Sequence, residues 1–157
     1  MPRRKGKRWR RDRDLYYVVE IESSDWGFSF GLDESRNRED PYREFRHLHI
    51  NGKLLRPRNT KVVQVEITLM PDVRLKEENR KRDEPRAVGG LILNRGLLQV
   101  LLPFPADALT PILQTITAGK LRYVTVNDTP LRYRQGAIKH FSLDSNYDPT
   151  ELPPESE

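Results

Sequence analysis

At 157 residues, 36% hydrophobic and 32% charged, the chain is the size of one domain with a lean core, and part of its length is expected to stay outside that core. It contains no cysteine, which excludes disulfides, thiolate zinc sites and a cysteine nucleophile. The net charge of +5 is unevenly spread over a basic head, a modestly basic body and an acidic tail.

Residues 1–14 carry eight Lys/Arg (Arg3, Arg4, Lys5, Lys7, Arg8, Arg10, Arg11 and Arg13) against Asp12 and Asp14, with Trp9 as their one aromatic. Such a segment cannot bury enough surface to offset its ordering entropy, so a disordered basic arm is expected. Its charges suit phosphates, whose neutralisation releases counterions and makes binding salt-dependent. Trp9 suits stacking on an unpaired base, or a place at a membrane surface. The alternatives are a merely solubilising terminus and a partner for the acidic tail.

Leu15–Glu22 is rich in β-branched and aromatic residues, as strands are. In Trp26–Leu32, Trp26, Phe28, Phe30 and Leu32 fall on one face at period two, with Gly27, Ser29 and Gly31 on the other. Gly27–Gly31 spells G-x-S-x-G, but a charged segment follows where a nucleophile elbow needs a helix. Asn51-Gly52, between His47–Ile50 and Lys53–Arg56, suits a type I′ turn and predicts a tight hairpin. Lys61–Met70 alternates, with Val63, Val65, Ile67 and Leu69 pointing one way. Arg74–Arg86 holds ten charged side chains and Pro85, and reads as a solvated loop or a short exposed helix.

Ala87–Asn94 and Leu97–Leu102 form a second hairpin around Asn94-Arg95-Gly96. One α-helix is predicted over about 106–118, capped by Asp107, with Pro111 in its first turn and Gly119 at its end. Leu109, Ile112, Leu113 and Ile116 make its apolar stripe. Lys120–Val126, Leu131–Arg134 and Ala137–Leu143 are the closing strands, with a turn at Asn127–Pro130. The total is about 8–9 short strands and one helix. The fold expected is mainly β, an antiparallel β-sandwich or partly open barrel spanning 15–145, followed by a disordered acidic tail over 146–157.

Arg122, Arg132 and Arg134 each neighbour a tyrosine, a pairing that suits nucleic acid and equally a protein interface. His47 and His49 project from one strand face and could ligate a metal with His140 and an acid such as Glu44 or Asp144; an exposed polar strand face is the simpler reading. No catalytic group, cofactor or metal is expected. No phosphate loop or dinucleotide fingerprint occurs. No run approaches the ~20 apolar residues of a membrane helix, and the basic start lacks the apolar stretch of a secretory leader, so no membrane partner and a cytoplasmic address are expected. The leading expectation is a non-enzymatic binding or assembly module whose arm reaches nucleic acid or an acidic protein. Its rivals are a homo-oligomeric scaffold joined through open β edges and a small metal-dependent enzyme.

Overall fold

The computed structural model describes residues 15–33, 41–58, 60–81 and 87–155; the basic arm, with Trp9, lies outside these residues. Its strands are β1 (Leu15–Leu32), β2 (Tyr42–Arg56), β3 (Gln64–Asp72), β4 (Gly89–Asn94), β5 (Leu97–Pro105), β6 (Tyr123–Asp128) and β7 (Gln135–Asp144), with short helices α1 (Leu75–Arg80) and α2 (Leu109–Thr117). The seven strands close into a barrel in the order β1-β2-β3-β5-β4-β7-β6. The fold is therefore mainly β, and a closed barrel rather than a sandwich.

Every strand pair is antiparallel except β3–β5. The exception has a simple cause. After β3 the chain passes through α1 and lays down β4 one place away, and β5 then turns back at Arg95-Gly96 into the empty slot. A return through a hairpin reverses direction twice relative to β3, so β5 runs parallel to it.

The alternating sequence pattern becomes the barrel interior. Val65, Ile67 and Leu69 of β3, Leu98, Val100, Leu102 and Phe104 of β5, and Val124 and Val126 of β6 are all buried. Each such side chain contributes about 1.5–3 kcal/mol by leaving water. Val63, expected on the same face, precedes β3 and is 89% exposed. α2 lies against one end of the barrel, with Leu109 and Ile116 buried and Ile112 and Leu113 packed on the core. Asp107 does not cap it. The cap position is Ala108, and the Asp107 carboxylate instead accepts from Lys76 Nζ at 2.8 Å, which holds its pKa below the usual carboxylate range.

Three local expectations are corrected. Leu15–Glu22 and Trp26–Leu32 are one continuous strand of 18 residues. Asn51-Gly52 is not a turn, because β2 runs straight through it, pairing Gly52 with both Ile21 and Val65. A Cβ on Gly52 would lie 2.6 Å from the Glu20 carbonyl oxygen and against Val19, so the glycine is required by close strand contact. Leu131–Arg134 is a turn rather than a strand, and Asn127 and Asp128 belong to β6.

β1 and β2 are longer than the strands beside them. β1 pairs with β6 only from Leu15 to Glu20. Beyond that, β1 and β2 leave the barrel together, and among the described residues Gly27–Leu32 and Tyr42–His47 pair only with each other. The described part of the acidic tail, to Glu155, includes a 3-10 turn at Pro149–Glu151. It lies over Tyr16, Thr125 and His140 and reaches Arg56, whose guanidinium donates to the Pro153 carbonyl.

Tyr17, in the barrel half of β1, is 6% exposed. Burial, and secondly the negative charge of Asp128, push its pKa up to about 12 from 10.0. The fold thus favours the neutral phenol. That contribution is complete below pH 10 and is lost as pH rises from 10 to about 12. A rise from 10.0 to about 12 corresponds to roughly 3 kcal/mol. The wild-type denaturation midpoint is expected to fall across this window, and Tyr17→Phe to fall much less, which urea titrations at a series of alkaline pH values would measure.

Candidate nucleic-acid interface

Past β6 the chain runs through Thr129-Pro130-Leu131 into a tight turn. Arg132 and Gln135 exchange both backbone hydrogen bonds, at 2.8 and 3.0 Å. Between them Tyr133 and Arg134 have φ of 52° and 64°, the two successive positive values of a type I′ turn. Asn and Gly adopt this conformation readily. A residue with a full side chain gives up roughly 1–2 kcal/mol in it. The turn is held on both sides nonetheless. Leu93 N donates to the Arg134 carbonyl at 2.9 Å, and Ala137 N donates to Thr129 Oγ1 at 3.0 Å. Gly136 leaves its side-chain space to the buried Asp128 carboxylate. The backbone is thus locked in a strained shape that displays Tyr133 at 98% exposure between two arginines.

A second turn stands beside it. Between β4 and β5, Arg95 and Gly96 have φ of 47° and 84°, and the Gly96 carbonyl accepts from Val63 N at 2.7 Å, bringing the Lys61 segment alongside. Strand directions put both turns at one end of the barrel, together with the end of β2 and the start of β1. Arg58, Lys61, Arg95, Arg132 and Arg134 are exposed there. Among the described residues, Lys61, Arg95, Arg132 and Arg134 take part in no ion pair. Glu155 lies 3.7 Å from Arg56 Nε and accepts from the backbone N–H of Arg58, so of the cations at this end it pairs with Arg56. An uncompensated cluster of this kind raises the positive potential over the whole end of the molecule. Residues 1–14, which carry eight further cations, join the barrel at Leu15 on this same end.

The sequence-predicted residues separate into distinct places. Arg3, Arg4, Lys5, Lys7, Arg8, Trp9, Arg10, Arg11 and Arg13 lie outside the described residues. Arg132 and Arg134 flank Tyr133. Arg122 does not join them. It sits at the other end of β6, 5.6 Å over the Tyr123 ring and 3.9 Å from Glu20. The sequence reading missed Lys61, Arg95 and Tyr133 as site residues. Gly96 marked the Arg95 turn, but nothing in the chain marked Tyr133-Arg134 as one.

The histidines also divide. The His47 and His49 rings pack at a tilt with 4.5 Å between centroids, with Phe45 4.9 Å beyond and Gly27 beneath the His47 ring. His49 Nδ1 lies 3.1 Å from Thr68 Oγ1. His140 stands opposite Asn127 on β7, across the barrel wall from that pair. No group of three or more potential metal ligands forms among the described residues. The Gly27–Gly31 segment lies wholly within β1, so it makes no strand-to-helix elbow. Comparison with family models, curated proteins and solved structures found no match.

Proposed function

We propose that this protein is a non-enzymatic module that binds single-stranded nucleic acid with the basic end of its barrel and its N-terminal arm. The observation that carries the reading is the gathering of four cations, free of ion pairs among the described residues, around a fully displayed tyrosine on the end where the arm enters. The cations provide sequence-independent attraction to phosphates. Tyr133, projecting to solvent between Arg132 and Arg134, offers a face on which an unpaired base stacks. Duplex bases have their faces occupied, which favours a single strand. Backbone strain held without any packing gain for the side chain is the usual mark of a working site.

The test is fluorescence anisotropy of a labelled single-stranded oligonucleotide across a salt series. Log K is expected to fall linearly with log salt. Lys61→Gln together with Arg132→Gln is expected to flatten the slope by about 1.4, at ~0.7 per lost phosphate contact. A sulfated polysaccharide and an acidic protein serve as competitors. If either competes as well as the oligonucleotide, and Tyr133→Ala changes nothing, the nucleic-acid reading is lost. Salt-insensitive binding would remove the electrostatic basis altogether.

A further inference from the structure

The β1–β2 ribbon carries a second surface, remote from the basic end. Antiparallel partners share a face, so the register puts Trp26 with Leu48, Phe28 with Arg46, Phe30 with Glu44 and Leu32 with Tyr42. Leu48 and Ile50 are barrel core. The Trp26–Leu32 stripe is therefore the core-facing side of β1 carried past the last strand that covers it. Phe28 is 59% and Phe30 64% exposed, and the Phe30 and Tyr42 rings stack 5.6 Å apart in the open. At 150–250 Å² per large side chain, the exposed parts of Trp26, Phe28, Phe30, Leu32 and Tyr42 come to about 500 Å². That is near the upper end, about 600 Å², of the largest apolar patch on a typical monomer. A two-stranded ribbon on its own is marginally stable at best in water.

The two edges of the ribbon differ. The β2 edge is guarded by Arg43, Glu44 and Arg46, with Arg43 paired to Asp33 at 2.8 Å and Arg46 paired to Glu44. The β1 edge is unguarded. Its last bond toward β6 is Ile21 N to the Arg122 carbonyl, and among the described residues no strand pairs with the outer side of Glu22–Leu32. Between Ser23 and Leu32 the only charge is Asp25, and there is no proline. Native sheets block such edges unless something is meant to pair with them.

We infer that the β1 edge pairs antiparallel with the β1 edge of a second copy, about a two-fold axis at Phe28. The sequence is self-complementary in that register. Trp26 faces Phe30 of the second copy, Phe28 faces itself and Gly27 faces Ser29, so large side chains meet on one face and small ones on the other. Asp25, the one charge between Ser24 and Leu32, faces Gly31, so no like charges oppose each other within that span. The product is one four-stranded sheet in which both aromatic stripes lie side by side. A cationic or anionic peptide would find little charge on this edge to select it. The dimer also carries two basic ends, which would let one strand of nucleic acid engage both, although the pairing does not depend on that use.

Sedimentation of the full chain over a concentration series tests the inference. A dimer is expected for the wild type. Phe28→Lys puts two like charges at the axis and is expected to raise the dimer Kd at least tenfold, about 1.4 kcal/mol. Phe28→Glu is expected to do the same alone, and mixing the two variants to restore the dimer. Because the chain has no cysteine, Phe28→Cys gives a second measurement. It is expected to cross-link under mild oxidation, while Val73→Cys, 78% exposed but off the ribbon, is not. Circular dichroism checks that each variant folds. A wild type that stays monomeric at its highest soluble concentration, a Phe28→Lys chain that dimerises unchanged, or a folded Phe28→Cys chain that fails to cross-link would each overturn the inference.

Discussion

The double variant Tyr133→Asn/Arg134→Gly is expected to be more stable than the wild type and a weaker binder of single-stranded nucleic acid. Both native residues sit at positive φ, and Tyr133 makes no compensating contact at 98% exposure. Asn-Gly adopts a type I′ turn without that strain. Relief at two positions is worth about 2 kcal/mol, or a rise in Tm of roughly 4–8 °C for a domain of this size. The same change removes a stacking face worth ~1–3 kcal/mol and one phosphate contact, so affinity should fall roughly tenfold to a hundredfold. Calorimetry and anisotropy on the one variant measure both arms. Stabilisation without loss of affinity would mean that the strained turn does not serve binding. Loss of affinity without stabilisation would mean that the turn is held by contacts the substitutions also remove.

Gly52→Ala is expected to be strongly damaging to the barrel. The added carbon would lie 2.6 Å from the Glu20 carbonyl oxygen, a backbone atom of the neighbouring strand. It cannot be moved aside without parting β1 from β2 where Gly52 also pairs with Val65 of β3. Overpacking of this kind costs about 3 kcal/mol, a Tm loss of roughly 6–12 °C. Asn51→Thr is the informative control. In a type I′ turn threonine would be strained at positive φ, but in mid-strand, opposite Ser23 and Glu66, it should be tolerated. A mild Gly52→Ala and a damaging Asn51→Thr would return the segment to the hairpin that its sequence suggests.

That contrast explains why one dipeptide misleads and another does not. Asn51-Gly52 and Arg95-Gly96 both signal a turn locally. Only the second is one, with Arg95 and Gly96 at positive φ. Local chemistry records what a glycine permits, namely positive φ or a missing side chain. It does not record which of the two the surrounding strands use. Tyr133-Arg134 is the converse case, a turn made from residues that resist it and imposed by the bonds from Leu93 and Ala137.

The mainly β character, the buried face of β3, the β4–β5 hairpin and the apolar stripe of α2 were determined by the sequence alone, because each follows from side-chain periodicity or turn chemistry within a few residues. The period-two stripe from Trp26 to Leu32 was equally legible, but whether it faced the core or water was not. Tertiary structure decided that β1 outruns its covering strands, that β5 inserts beside β3, and that Lys61, Arg95, Arg132 and Arg134 meet at one end while Arg122 stays at the other. These are matters of strand order and length matching. They depend on pairings between residues far apart in the chain, and no local pattern of side chains encodes which strands become neighbours.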